Sequence, residues 1–250
     1  MRIIISPAKK MQDDPDSLPP TALPLFLAQA RTLLARLRQM TAPELQKLWR
    51  CNDQIAALNL ERLQRMEPDN IARLTPALLA YDGIQYRYMA PSVFTDGEFD
   101  YVQQHLRILS GFYGLLRPFD GVTPYRLEMQ ARLAAAGSKD LYGFWGSRIA
   151  EALFAECSVV VNLASKEYSR CITAHTPAGA RVITCVFGEE KAGKVVEKAT
   201  QCKMARGEMV RWMAENRITD PALLPGFDRL GFRFSPERSH NDTFVFLKGE

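Results

Sequence analysis

The side chains best suited to bind a charged ligand in this sequence are arginines and lysines that lie near glycine and proline. The densest such stretch runs from His105 to Met129 and contains Gly111, Gly114 and an Arg117-Pro118 pair. Proline holds the preceding residue out of helical geometry, so an ordered turn is expected here. Backbone N–H groups exposed in such a turn, beside arginines, would bind phosphate. The residues alone equally allow a turn that only reverses the chain.

A second basic group lies toward the C-terminus. The segment from Thr200 to Arg217 has the pattern of a helix, and at about 100° per residue Lys203, Arg206 and Arg217 share one side of it. Gly207 lies beside them and would let a phosphate or another backbone approach closely. The alternative is an ordinary solvated face, since glutamates of the same helix offset part of the charge.

Polar residues also follow two predicted buried strands. Ser6 and Lys9 come directly after an isoleucine-rich run, and Asn162 and Ser165 end the run that begins at Cys157. Ligand sites in sheet proteins are often built at the ends of strands. The alternative is that Lys9 is solvated and that the other side chains cap the next helix.

These strand ends allow an enzymatic hypothesis. Lys9 would hold an anion or act as a nucleophile, and Tyr125 or Glu128 would transfer the proton. The candidate pocket then comprises Ser6, Tyr125, Glu128, Asn162 and Ser165 around Lys9. This hypothesis requires the side chains to converge within about 4–6 Å in a closed pocket rather than along an open groove.

Hydrophobic patterning predicts the elements that would position these residues. Short apolar or β-branched runs predict strands near 2–5, 77–81, 158–163, 181–187 and 243–248. Helical spacing predicts a helix over Phe99–Leu109, entered through a capping box at Thr95 and ended by a left-handed Gly111. A second capping box at Thr41 starts another helix, and prolines predict a loop at 12–24. We predict one α+β domain over residues 1–250, with a mixed sheet and surrounding helices.

Composition excludes several classes of protein. Hydrophobic residues make up 47% of the 250 residues and charged residues 24%, which indicates a soluble globular chain with no secretion signal or membrane span. The net charge of +4 permits an anionic partner without requiring one. The 5 cysteines and 3 histidines lack metal-ligand spacing, and no nucleotide-binding glycine motif is present, so we predict no metal and no cofactor.

Several longer motifs together resemble those of one bacterial family, the YaaA peroxide stress proteins. The resemblance extends from Met1 to about Leu247. It is carried by IISPAK (4–9), QHLRILSG (104–111), YGLLRP (113–118), PYRLEM (124–129), KDLY (139–142), FWG (144–146), VNLAS (161–165), Glu167-Tyr168 and ARG (205–207).

The resemblance implies a fold and a function. It implies a cytoplasmic protein that limits oxidative damage from peroxide and free iron, with a mixed α/β fold of unusual topology. It also implies non-specific DNA binding in a basic cleft, with a helix-hairpin-helix-like element near 105–128. Matched to this sequence, the expected cleft residues are Lys9, Arg117, Arg126, Lys203 and Arg206. An enzyme that acts on a small anionic substrate remains the rival hypothesis.

Overall fold

The structure of the protein is a computed structural model that describes residues 1–14 and 18–249. Part of the loop expected at 12–24 therefore lies outside the described residues. The α-helices are α1 Leu27–Arg38, α2 Ala42–Trp49, α3 Asp53–Arg65, α4 Ala77–Ala80, α5 Ile84–Met89, α6 Asp96–His105, α7 Leu141–Trp145, α8 Arg148–Glu156, α9 Lys166–Thr173 and α10 Ala199–Glu215. Within the described ranges, no helix is long and apolar enough to cross a membrane.

The strands are β1 Arg2–Ile5, β2 Lys10–Met11, β3 Thr75–Pro76, β4 Tyr81–Asp82, β5 Leu106–Ser110, β6 Gly114–Leu116, β7 Gly121–Val122, β8 Val159–Leu163, β9 Arg181–Lys191, β10 Lys194–Val196, β11 Phe232–Phe234 and β12 Thr243–Lys248. Short 3-10 helices cover Ile71–Arg73, Pro91–Val93, Pro221–Gly226, Arg229–Gly231 and Pro236–Arg238.

One 8-stranded sheet organises the fold. Its strands run in the order β11-β12-β9-β8-β1-β5-β6, and β10 pairs with β9. The pairs β12–β9, β9–β8, β8–β1 and β1–β5 are parallel, whereas β11–β12, β10–β9 and β5–β6 are antiparallel. The prediction of an α+β fold with a mixed sheet is therefore confirmed.

Strand β1 lies in the middle of this sheet. Ile3, Ile4 and Ile5 are 0% exposed. In register, Ile4 pairs with Arg107 on one side and with Asn162 on the other. A strand covered on both faces needs a continuous apolar run, and the three isoleucines supply it. The carboxyl ends of β1 and β8 consequently lie side by side.

Two predicted elements have other structures. The run predicted as a strand at 77–81 is mostly helix α4, because Ala and Leu favour a helix and Pro76 suits its start. The predicted helix over 99–109 ends at His105, and Leu106–Ser110 is strand β5. The apolar residues of β5 fit either structure locally, and pairing with β1 decides between them.

The chain after this helix differs from the expected helix-hairpin-helix-like element. β5 turns back into β6, with Ser110 paired to Gly114, so residues 106–116 form a β-hairpin. Gly114 rather than Gly111 has a positive φ, of 75°. Gly111 is instead needed for space, because a Cβ there would lie 2.6 Å from the carbonyl oxygen of Leu127.

Helices α5 and α10 cross in direct backbone contact. A Cβ at Gly207 would lie 2.0 Å from the carbonyl oxygen of Gln85 and 3.0 Å from the backbone nitrogen of Met89. Any side chain at this position would force the helices apart. The glycine therefore fixes the residues next to it on α10 beside α5.

The amino edge of the sheet holds a charged cluster. Glu156, the last residue of α8, accepts hydrogen bonds from Arg2 at 2.8 Å and from Arg107 at 2.9 Å. Burial alone would raise the pKa of Glu156, but these arginines hold it below its ordinary value. Asp120, which is 3% exposed, lies near Arg107 and Arg117 and accepts a hydrogen bond from the backbone N–H of Arg117 at 2.8 Å.

This cluster makes stability depend on pH. Burial raises the pKa of Asp120 from an ordinary 3.8 to about 6, and the nearby arginines offset only part of this effect. The folded state therefore holds the proton more tightly than the unfolded state, so the stability contribution is full below about pH 4 and is lost as pH rises through about 6. Asp120→Asn, which keeps the acceptor for Arg117, should raise the free energy of unfolding at pH 7 by about 1–3 kcal/mol.

Urea denaturation at pH 4.5 and pH 7 tests this prediction, and the gain should shrink at the lower pH. Asp100→Asn, at an exposed carboxylate, is the control and should change little at either pH. An Asp120→Asn protein less stable than the wild type at pH 7 would contradict the assignment.

Candidate functional site

A cavity of about 390 Å³ opens at the carboxyl edge of the sheet. Its lining combines the loop after β1, the start of α5, the segment 125–128, the start of α9 and one face of α10. Its polar lining residues are Ser6, Lys9, Lys10, Asp82, Gln85, Tyr86, Tyr125, Arg126, Glu128, Ser165, Glu167, Tyr168, Lys203 and Arg206. We refer to it as the carboxyl-edge cavity.

Two serines hold the floor of this cavity. The backbone N–H of Ser165 donates to Ser6 Oγ at 2.8 Å, and Ser6 Oγ donates to Ser165 Oγ at 3.2 Å. Tyr86 donates its hydroxyl proton to the carbonyl oxygen of Ser6 at 3.0 Å. The ends of β1 and β8 are thereby tied together, and the remaining proton of Ser165 is available to a ligand.

Lysine–carboxylate pairs line the mouth. Lys9 Nζ lies 2.5 Å from Glu128 Oε1, and Lys10 Nζ lies 2.6 Å from Asp82 Oδ2. The lysine side chains are 66% and 74% exposed, so water screens both pairs and their contribution to stability is small. The predicted neighbours Lys9 and Glu128 do meet, and each neutralises the other.

Glu167 is a cavity residue that the sequence reasoning did not single out as a site residue. Its Oε1 accepts a hydrogen bond from the backbone N–H of Gln130 at 3.2 Å. Burial raises its pKa, and the negative charge of Glu128 adds to the rise. Two carboxylates in one cavity with differing environments can divide the roles of acid and base. Its place in the Glu167-Tyr168 motif was the only signal in the sequence.

Three further cations line the cavity. Lys203 and Arg206 lie one turn apart on α10, and Arg126 approaches from the segment after β7. Arg206 Nη2 is 3.8 Å from Glu197, and Arg126 Nε donates to the carbonyl oxygen of Trp49 at 3.4 Å. Arg217, predicted on the same ridge, instead lies beyond the end of α10 in a left-handed conformation.

A second hollow, also of about 390 Å³, adjoins this cavity and shares Arg126 and Glu128 with it. Lys47, Arg50 and Arg132 line it, and all three are exposed. Arg50 ends α2 in a left-handed conformation with φ 48°. Sequence reasoning did not select Lys47 or Arg50, because no local pattern distinguishes them from solvated surface charges.

Two predicted site residues lie elsewhere. Arg117 lies at the amino edge, 3.7 Å from Glu156, roughly 13 Å from the carboxyl edge if each of the four residues of β1 rises about 3.3 Å. Asn162 is buried, donates to Thr184 Oγ1 at 3.2 Å and accepts from the backbone N–H of Ala164 at 3.0 Å. It braces the end of β8 and does not line the cavity.

Tyr125 lines the cavity with its ring, but its hydroxyl belongs to a buried network. Ser110 Oγ accepts from the backbone N–H groups of Phe112 at 3.2 Å and Tyr113 at 2.9 Å. Both lone pairs are then used, so Ser110 donates to the hydroxyl of Tyr125 at 2.6 Å, and the hydroxyls of Tyr125 and Tyr81 share a hydrogen bond of 2.8 Å. Burial raises the pKa of Tyr125 and further disfavours a role in proton transfer.

The turn expected at 111–117 is present, but the prediction that its backbone N–H groups would bind phosphate is wrong. Residues 111–116 are buried, and the N–H groups of Phe112 and Tyr113 are already bonded to Ser110. The turn positions Tyr125 and does not present backbone donors to a ligand.

Thiol and metal chemistry find little support in the described residues. Burial raises the pKa of Cys171 and Cys185 to about 12, and it also raises the pKa of Cys157 and Cys202. These thiols are thus poor nucleophiles toward peroxide. In residues 1–14 and 18–249, no group of three His, Cys, Asp or Glu side chains could hold a metal ion.

Comparison with known proteins identifies the same family that the sequence motifs suggested. A sequence profile of the family described as peroxide stress protein YaaA matches residues 1–238. The chain belongs to the YaaA family. It is 51% identical over 250 residues to a UPF0246 protein of Lachnoclostridium phytofermentans, covering 100% of this chain and 97% of that protein. A UPF0246 protein of Desulfitobacterium hafniense is 53% identical over 248 residues, covering 99% and 98%. The resemblance read from the motifs is confirmed, and it supports a role in peroxide stress.

In this YaaA-family chain, the Tyr125 network makes a testable contribution to stability. Tyr125→Phe would leave the hydroxyls of Ser110 and Tyr81 without their shared partner. The free energy of unfolding should fall by about 1–3 kcal/mol, the usual cost of unpaired buried polar groups. Urea denaturation measures this loss.

Tyr88→Phe is the matched control, because Tyr88 is only half-buried and its hydroxyl makes no hydrogen bond within the described part of the chain. If both variants lost the same stability, the network would not be the cause.

Proposed function

We propose that this protein acts in peroxide defence by binding DNA, without base specificity, across the mouths of the two adjoining hollows. The observation that carries the proposal is a continuous set of cations with little neutralisation. This cationic surface consists of Lys47, Arg50, Arg126, Arg132, Lys203 and Arg206. In the described ranges, the one ion pair formed by any of these six side chains is the long contact between Arg206 and Glu197 at 3.8 Å.

The arrangement suits a phosphate backbone better than a base-reading surface. Arg126 lies at the junction of the two hollows, so cations extend from α2 on one side to α10 on the other. Phosphate contacts made by Arg and Lys position DNA but carry no sequence information. Lys9 can add a contact at the mouth, where it is 66% exposed, if it leaves Glu128.

The family supplies the biological context. A protein bound along DNA shields the DNA from the radicals that peroxide and iron generate. The proposal therefore attributes limitation of iron-linked oxidative damage to the bound protein itself, without requiring a reactive thiol.

The proposal predicts a specific salt dependence. Wild-type protein should bind a fluorescently labelled DNA duplex with an affinity that falls steeply between 50 and 200 mM salt. Lys47→Ala/Lys203→Ala removes one exposed cation from each hollow, and both sites lie on helices that tolerate alanine. If each lysine contacts one phosphate, the slope of log K against log salt should shrink by about 2. Fluorescence anisotropy measures both quantities.

Arg117→Ala/Arg181→Ala is the control, since it removes two exposed cations from the amino edge. Its binding should match that of the wild type. Equal weakening by the two double variants, or wild-type binding that is indifferent to salt, would refute binding at the cationic surface.

A second candidate function, an enzyme that acts on a small anion, is favoured by one observation. Glu128 and Glu167 line the same cavity as Lys9, and burial raises the pKa of Glu167. Lys9 and Arg206 would hold the anion, and Glu167 would transfer a proton. Support for this candidate comes from Ser6, Tyr125, Glu128 and Ser165, which line the cavity with Lys9, whereas Asn162 is not part of the lining.

Metabolite profiling tests this candidate. A bacterial metabolite extract incubated with the wild-type protein should lose a phosphate- or carboxylate-bearing compound, detected by mass spectrometry. Glu167→Gln should slow that loss at least tenfold, whereas Glu61→Gln, on the exposed face of α3, should not. An extract that is unchanged by the wild type would argue against an enzyme.

A further inference from the structure

Two hydrogen-bond donors in the carboxyl-edge cavity have no acceptor. Gln85 Nε2 and Arg206 Nε are buried and lack a hydrogen-bond partner among the residues that the structure describes. Gln85 is only 7% exposed, and both side chains line the cavity. Buried donors are nearly always paired in folded proteins, and each unpaired one costs about 1–3 kcal/mol. Such a cost is expected where a ligand completes the pairing.

The fold brings the backbones that carry these two donors together. Gly207 follows Arg206 on α10, and its backbone touches that of Gln85 on α5. Lys203 lies one helical turn before Arg206 on the same face of α10 and lines the same cavity. An amide, a guanidinium and an ammonium thus line one cavity from two helices in close backbone contact.

The chemistry of these groups defines the ligand. A third buried atom of the cavity, Glu128 Oε1, also lacks a hydrogen-bond partner, but it lies 2.5 Å from Lys9 Nζ and that ammonium balances its charge. The atoms left for a ligand are therefore the two donors, and the ligand must be an acceptor. Of the charged lining residues, Lys9 pairs with Glu128 and Lys10 pairs with Asp82. Among the lining residues outside these two pairs, three are cations, Arg126, Lys203 and Arg206, and one is a carboxylate, Glu167. Glu197 adds a second negative charge, 3.8 Å from Arg206. The first turn of α9 adds its partial positive charge at Ser165.

We propose that Gln85, Lys203 and Arg206 form a subsite for a phosphate monoester in the wall of this cavity. The excess of positive charge favours the dianion of a terminal phosphate over the single charge of an internal phosphodiester. The phosphate comes either from a free nucleotide or from the end of a DNA strand. The second source rests on the proposed function and extends it from DNA in general to DNA with phosphorylated ends.

Calorimetric titration of the full chain with thymidine 5′-monophosphate, beside thymidine, tests the subsite. The monophosphate should bind and thymidine should not. Gln85→Leu keeps the side-chain size but removes the donor, so it should weaken monophosphate binding at least tenfold. The same variant should be as stable as the wild type or more stable without ligand, since it removes an unpaired buried donor. Arg117→Ala, at the amino edge, should bind like the wild type.

Equal binding of thymidine and its monophosphate, or full binding by a stably folded Gln85→Leu, would overturn the subsite. A single-stranded oligonucleotide with a 5′-phosphate, compared with its 5′-hydroxyl form, then distinguishes the two sources. Preference for the phosphorylated form, lost in Gln85→Leu, identifies a DNA end, and monophosphate binding without that preference identifies a free nucleotide. Salt-dependent duplex binding with no binding of either phosphate would refute the subsite and leave the proposed function standing.

Discussion

The fold and its site both depend on the burial of one short strand. Ile3, Ile4 and Ile5 are completely covered, and β1 hydrogen-bonds in parallel to β5 on one side and β8 on the other. Parallel pairing places the ends of β1 and β8 at one edge, where Ser6 and Ser165 meet. The polar residues that follow these strands therefore lie close together at this edge.

The second constraint is the close crossing of α5 and α10. Gly207 is needed here because it lacks a side chain, not because it allows a turn. A Cβ at this position would lie only 2.0 Å from the carbonyl oxygen of Gln85. The crossing forms one wall of the carboxyl-edge cavity and supplies Gln85, Lys203 and Arg206 to it. The sheet thus sets the floor of the site, and the helix pair sets its cationic wall.

Much of this architecture follows from local sequence. The strands at 2–5, 158–163, 181–187 and 243–248 were predictable because their apolar runs have no competing helical pattern, and Thr41 and Thr95 do form their capping boxes. The segment after His105 was not predictable, since its apolar residues continue the helical spacing of α6. Only the availability of β1 as a partner makes it a strand.

The site was predictable to a smaller extent, and the reasons are geometric. Lys9, Glu128, Lys203 and Arg206, which the sequence marked as site candidates, all line the carboxyl-edge cavity. Arg117 has an equally suitable local setting, but β6 runs antiparallel to β5 and carries it to the opposite edge. No property of Gln85 in the sequence marks it, since its unpaired donor arises only from the helix crossing.

The depth of each cation decides what kind of binding it can support. Lys47, Arg50, Arg132 and Lys203 are exposed, so salt screens their attraction to phosphate and their effect is felt mainly along an extended polyanion. Arg206 has a side chain only 14% exposed, and Gln85 lies deeper still, so a ligand there must shed its water and match the donors individually. In the proposed function, exposed charge would therefore provide general attraction to nucleic acid, and the buried donors would provide chemical selectivity. Because Lys203 belongs to both groups, the two proposed modes of binding would share one ammonium, and an anion in the cavity would compete with a strand at its mouth for that charge.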